Sequence, residues 1–304
     1  MPKTSLFAEP HFQNDEAARA MLESILWADG PVCPHCGIVD SAYKTKRPGV
    51  YRCAEQGCRK DFSVTMKTVM ERSHIALHKW LQAFHLMTSS KKGVSAHQLH
   101  RTLQIGYEAA WFMAHRIRES MRAGGLSPLG GGGNAVEADE TYFGHLEGQP
   151  KKGRLGTSNM NTVLTLVERG GSARSFHLDS NRIADIAPIL RANLSREAKL
   201  MTDEHGSYKE VGREFASHDT VNHSRDEYVR GDAYTNTVEG FYSIFKRGMK
   251  GVYQHCAEKH LHRYLSEFDF RYSNRVALGV NDGERRTLAI KGAAGKRLTY
   301  RGRH

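Results

Sequence analysis

Four of the chain's five cysteines fall between residues 33 and 58, as Cys33-Pro34-His35-Cys36 and Cys53-Ala54-Glu55-Gln56-Gly57-Cys58. Two cysteine pairs at such short spacing can aim four sulfurs at one tetrahedral zinc. The second pair is 58 − 53 = 5 apart, slightly wider than the commonest knuckle. Between the pairs, a Pro48-Gly49 turn flanked by Tyr43 and Tyr51 predicts a small hairpin, and Arg59-Lys60-Asp61-Phe62-Ser63-Val64 predicts a closing strand. The segment therefore reads as a zinc ribbon. The alternative, four buried free thiols, does not account for their clustering. Four thiolates leave no open coordination position, so the expected role of Cys33, Cys36, Cys53 and Cys58 is structural, with His35 a bystander.

The rest of the composition bounds the partners. The 304 residues carry a net charge of +11, which points to a polyanion such as DNA, RNA or an anionic membrane surface. No stretch approaches the roughly 20 apolar residues of a membrane span, and residues 1–13 lack a signal pattern. The expectation is a cytoplasmic protein whose cysteines form no disulfide framework.

Upstream of the ribbon, Ala18, Met21, Leu22 and Ile25 recur at helical spacing within residues 15–27. Downstream, residues 70–121 read as helical. Residues 94–106 form a short helix ending in a turn at Gly106, and a second helix starts at Tyr107. Ala110, Met113, Ala114, Ile117 and Met121 give that helix its core face, leaving Tyr107, Trp111, His115 and Arg118 on the opposite side. A helix, a Gly-containing turn and a helix with an aromatic and basic outer face fit a helix-turn-helix, or equally an ordinary helical hairpin. The charge favours the first, with those four residues as DNA contacts.

Gly124-Gly125 and the run from Gly130 to Gly133 predict a linker. Beyond it the pattern changes to three strands, a helix, a strand, a helix, a strand and a helix. That order matches a ribonuclease H-like fold. Asp139 would lie on the central first strand, Asp203 at the end of the fourth, and Glu239 on the last of these helices. Three gathered carboxylates repel one another unless cations neutralise them. Hard oxygen donors suit two Mg²⁺ or Mn²⁺ ions, a pair suited to phosphodiester chemistry. The local alternative for Glu239 is a capping box, Asn236-x-x-Glu239, at the helix start. Glu137 shares the face of Asp139 and is an alternative ligand; Glu140 points to the other face. Glu204 reads as a helix-entry charge, His223 as a structural histidine and Cys256 as a lone thiol.

Three blocks carry a resemblance: Val136-Glu137-Ala138-Asp139-Glu140-Thr141-Tyr142, Thr202-Asp203-Glu204-His205-Gly206-Ser207-Tyr208 and Thr235-Asn236-Thr237-Val238-Glu239-Gly240-Phe241. They resemble the catalytic blocks of DDE transposases, in particular bacterial insertion-sequence transposases of the ISXO-like branch related to Merlin elements. The interval 239 − 203 = 36 is also like that family's. The resemblance spans about residues 12–275 and departs at Ala233-Tyr234, where a histidine is expected. It implies catalysis by Asp139, Asp203 and Glu239, and DNA contacts by Lys246, Arg247 and Lys250. It also implies binding of double-stranded DNA at element ends and target, and a homo-oligomer on DNA.

The expected organisation is multidomain α+β: an N-terminal helix (1–30), a zinc ribbon (31–70), a helix-turn-helix region (71–123), a linker (124–134), a ribonuclease H-like α/β catalytic domain (135–277) and a basic segment (278–304). The last is either a disordered tail or a phosphate-contacting arm. The expected function is a transposase that cuts and rejoins DNA; the alternatives are a metal-dependent nuclease or resolvase, or a non-catalytic DNA-binding regulator.

Overall fold

The computed structural model describes residues 5–146, 148, 159–203, 208–221 and 234–299. The chain divides into two units, Met1–Arg122 with Asn281–His304, and Ala123–Val280. Glu204, His223, Arg301 and Arg303 lie outside the described residues.

In the first unit, helix α1 (Asp15–Leu26) starts at Asn14, whose side chain accepts the Ala17 N–H at 2.8 Å. That bond satisfies one of the donors a helix start leaves open. Strands β1 (Ala42–Lys44), β2 (Tyr51–Cys53) and β3 (Asp61–Phe62) form an antiparallel sheet in that order. Trp27 meets Tyr51 and Phe62 edge-on, giving this small sheet an aromatic core beside Cys33 and Cys53.

Three helices follow: α2 (Leu77–Ser89), α3 (Ala96–Leu103) and α4 (Tyr107–Met121). Residues 70–76, expected to be helical, are turns and bends. Ser95 caps α3 by accepting the Gln98 N–H, and Gln104, at φ +50°, ends it in the left-handed conformation. Trp80, Leu81, Phe84, Leu99, Met113 and Ile117 are fully buried between these helices. The outer face expected on α4 is absent. His115 and Arg118 are 1% and 2% exposed, Trp111 is half-buried, and of the four only Tyr107 is open to solvent. Packing against α2, α3 and the C-terminal helix leaves only the first turn of α4 exposed.

The second unit holds β4 (Ala135–Phe143), β5 (Asn161–Glu168), β6 (Ala173–Leu178), α5 (Ile183–Asn193), β7 (Lys199–Thr202), α6 (Tyr208–Val211), β8 (Ser217–Thr220), α7 (Asn236–Gly248) and α8 (Leu261–Ser273). The sheet order is β6-β5-β4-β7-β8. The β6-β5-β4 part is antiparallel, and β7 and β8 run parallel to β4. Strand alternation sorts the sheet's two faces. Val136, Ala138, Leu164 and Leu166 pack with Ile186 and Leu190 of α5. Val163 and Val167 pack with Phe241 and Phe245 of α7 and Leu265 and Phe268 of α8. Helices thus cover both faces, and β5 is buried on both sides.

Part of the expected linker belongs to this unit. Leu129 is buried and bridges to Leu194, and Gly130, at φ +80°, lies where a Cβ would meet the Ala198 side chain at 2.3 Å. No side chain is tolerated at that approach.

Helix α9 (Asp282–Lys291) returns the chain to the first unit, against α1, α2 and α4. Over its described part the basic segment is therefore not a loose tail. Arg285 and Arg286 are buried, the latter with its guanidinium over the Phe12 ring. Lys296 donates to the carbonyls of Glu119 and Ser120 at the end of α4. It thereby meets the last-turn carbonyls and the negative dipole end of that helix. At Gly292 a Cβ would stand 2.2 Å from the Ser120 carbonyl oxygen, so only glycine permits this docking.

Candidate active site

The face of β4 that meets α7 carries Glu137, Asp139 and Thr141, as strand alternation requires. Asp203 directly follows β7, the parallel neighbour of β4. Glu239 is in the first turn of α7 and exposed. Burial, then the charges of Glu140, Asp203 and Glu239, push the Asp139 carboxyl up to about 7, despite its bond from the Glu140 N–H. Asp203 and Glu239 thus lie near enough to act on the Asp139 carboxyl. Their ligand oxygens do not all lie within 4.8 Å of one another; among the described residues only the four cysteines form a group that close. An oxygen-donor cluster with one carboxyl already driven toward its neutral form fits a divalent cation, which would hold all three ionised.

The helix start differs from the capping alternative. Thr235 occupies the cap position of α7 and Asn236 is its first helical residue, so Glu239 is the fourth and no Asn236–Glu239 capping box forms. Glu137 takes over the helix start from the strand, accepting the N–H groups of Thr237 and Val238 at 2.8 and 3.0 Å. Glu140, expected to be solvated or structural, is half-buried; burial pushes its carboxyl up to about 7, with the neighbouring Tyr208 hydroxyl pulling the other way. Tyr242, which nothing in the sequence singled out, donates from α7 to the Asp139 carbonyl oxygen at 2.5 Å. Further along α7, Lys246 is half-buried and Arg247 exposed; Lys250 is exposed on the following π-helical turn, Met249–Tyr253.

In the ribbon, the Cys33 and Cys58 sulfurs are 3.8 Å apart and those of Cys36 and Cys53 are 3.7 Å apart. A tetrahedron with zinc–sulfur bonds of about 2.3 Å requires sulfurs about 3.8 Å apart. Burial would raise the Cys33 thiol, but the N–H groups of Cys36 and His35 outweigh it and bring it down to about 7. At Cys53 burial prevails and pushes the thiol up to about 12. A bound zinc would hold both as thiolates.

Residues 13–61 match the transposase zinc-ribbon domain family, and residues 128–273 match the ISXO2-like transposase domain. A protein of Halobacterium salinarum, described as an uncharacterized protein in transposable element ISH50, is 27% identical over 279 residues, 86% of this chain and 91% of its own length. A cysteine-bound ribbon followed by a transposase domain defines the class: this is a transposase. The chain belongs to the ISXO2-like DDE transposases. Among the described residues no helix is long and apolar enough to cross a membrane.

Proposed function

We propose that this transposase binds the ends of an insertion sequence as double-stranded DNA and catalyses strand cleavage and strand transfer, with Asp139, Asp203 and Glu239 as the catalytic carboxylates. The observation that carries the reading is the arrangement of three acids: Asp139 half-buried on the central strand β4, Asp203 at the end of its parallel neighbour β7, and Glu239 in the first turn of α7, with Asp203 and Glu239 both raising the Asp139 carboxyl. The sheet order, with two parallel strands beside an antiparallel trio and helices on both faces, supports a ribonuclease H-like fold.

Asp139, Asp203 and Glu239 would hold Mg²⁺ or Mn²⁺. Such ions supply activation of a water or 3′-hydroxyl and stabilisation of the leaving oxygen at a phosphodiester. The chain's own residues fix the acids: β4 presents Asp139, the end of β7 presents Asp203, and α7 presents Glu239. Lys246, two helical turns beyond Glu239, would meet a DNA phosphate, with Arg247 and Lys250 extending the basic run.

The helix pair α3–α4 would serve as a helix-turn-helix reading DNA. The burial of His115 and Arg118 moves its contact surface to the exposed His97, Gln98, Arg101 and Thr102 of α3 and to Tyr107. His97 stacks on Tyr107 with ring centroids 4.3 Å apart, which stiffens that edge. Joining two DNA ends calls for at least a dimer. The test is incubation with DNA bearing the element's terminal repeats and Mg²⁺ or Mn²⁺. Joined end–target products support the reading, cleavage without joining reduces it to a nuclease, and binding without either reduces it to a regulator.

A further inference from the structure

Glu137 sits two residues before Asp139 on the same face of β4 and is fully buried. Its Oε1 accepts from Arg169 Nε at 2.7 Å and from the Thr237 hydroxyl at 2.8 Å. Its Oε2 accepts the N–H groups of Thr237 and Val238 at 2.8 and 3.0 Å. A carboxylate has about four lone-pair sites, and these four donors fill them. Glu137 is thereby removed as a cation ligand, although it shares a face with Asp139.

The other half of the arrangement is Arg169, which directly follows β5. Its Nη2 donates to the Tyr234 carbonyl at 2.8 Å, and its guanidinium carbon lies 3.4 Å from the centroid of the Tyr234 ring. One ion pair therefore reaches Tyr234, Thr237 and Val238 together. Those residues span the start of α7 up to the position before Glu239. An anionic side chain at a helix N-terminus is favoured by the dipole, and here it comes from the strand that bears Asp139.

We infer that the Glu137–Arg169 pair, roofed by Tyr234, is the positioning device of the active site, fixing the first turn of α7 against β4 so that Glu239 faces Asp139. The inference rests on the proposed role of those two acids. Glu137, Arg169 and Tyr234 touch no reacting atom; they set the distance between acids that do. Tyr234 carries the Arg169 guanidinium on its ring.

The test pairs Glu137→Gln with Arg169→Lys. The glutamine keeps one acceptor but turns an N–H₂ toward donors, and the lysine keeps the charge but loses the fork and the stacking. Hydrogen exchange on the metal-free protein reads the clamp without any chemistry. The amides of Thr237, Val238 and Glu239 should exchange faster by on the order of ten-fold in both variants, with β4 and β5 unchanged. In strand cleavage, the Mn²⁺ concentration for half-maximal rate should rise on the order of ten-fold, as loss of an outer support does at metal sites, with DNA binding unchanged. The double variant should be no worse than the more affected single one, since the pair acts as a unit.

Unchanged exchange at these three amides in both variants overturns the clamp. So does a Glu137→Gln protein as inactive as Asp139→Asn at every Mn²⁺ concentration beside a fully active Arg169→Lys, which makes Glu137 a ligand. Should either variant fail to fold, Tyr234→Ala removes only the ring from a half-buried position. It must then show the same local loss of protection, or the inference fails. If the wild-type protein proves unable to cleave, the exchange measurement still decides the clamp, while the catalytic reading falls separately.

Discussion

The Tyr242 hydroxyl donates to the backbone carbonyl of Asp139 at 2.5 Å and also reaches the Val163 carbonyl at 3.2 Å. It is buried on α7, one turn beyond Glu239. The bond ties the helix bearing one candidate carboxylate to the strand bearing another. Tyr242→Phe removes the hydroxyl and keeps the ring. It should lower unfolding free energy by about 1 kcal/mol and reduce cleavage several-fold without abolishing it. Urea denaturation together with single-turnover cleavage checks both.

The pH dependence of the metal-free protein follows from Asp139 and Glu140, whose carboxyls lie at about 7 against ordinary values of 3.8 and 4.5. The folded state keeps protons that the unfolded chain has released. The stability these groups contribute is full below about pH 4 and lost as pH rises through 7. For Asp139, the rise from 3.8 to about 7 corresponds to roughly 4 kcal/mol. Asp139→Asn should therefore gain on wild type in melting temperature from pH 4 to 8, and saturating Mg²⁺ should narrow the gap. A difference independent of pH contradicts the assignment.

The ribbon should contain one zinc per chain by elemental analysis. Structural zinc supplies on the order of 10 kcal/mol of apparent binding free energy to such small domains. Cys36→Ser should unfold the ribbon and weaken DNA binding, with the circular dichroism of an isolated second unit as reference. Protein purified without chelators that holds no zinc refutes this.

Arg118 and Arg101 should separate cleanly. Arg118 is buried, so Arg118→Ala should lower the melting temperature and leave the salt dependence of DNA binding alone. Arg101 is exposed on α3, so Arg101→Ala should leave melting unchanged and weaken DNA binding. Fluorescence anisotropy across a salt series distinguishes the two.

Removing residues 282–304 should destabilise the first unit rather than trim a tail. It strips the buried Ala289 and Ile290 from the core and the Lys296 cap from α4. A loss of about 2–5 kcal/mol is expected from the core residues. Thermal melting of the truncated chain measures it.

Local pattern carried much of this organisation. The cysteine spacing gave the ribbon, the glycines marked the change of pattern, and two-residue alternation put Glu137 with Asp139. What was not legible needed partners distant in the chain. Strand alternation shows which face Glu137 takes, but not that Arg169 and the start of α7 consume its oxygens. Periodicity gave α4 a core face correctly and an outer face wrongly, because it cannot tell that α2, α3 and the distant α9 all pack on it. The same α9 was hidden by its own charge: Arg285 and Arg286 counted toward a basic tail or arm, yet their stems and guanidinium groups are buried among Phe12, Asp282 and the Thr88 carbonyl.

The most direct measurement is strand cleavage and transfer by Glu239→Gln on DNA carrying the element's ends, run beside DNA binding and metal-free melting. Gln preserves size and hydrogen-bonding shape, and Glu239 is not the residue that caps the helix start. The account predicts loss of both products, DNA binding at wild-type strength, and a metal-free melting temperature equal to or above wild type as repulsion with Asp139 is relieved. A Glu239→Gln protein that cuts and joins DNA at the wild-type rate contradicts it.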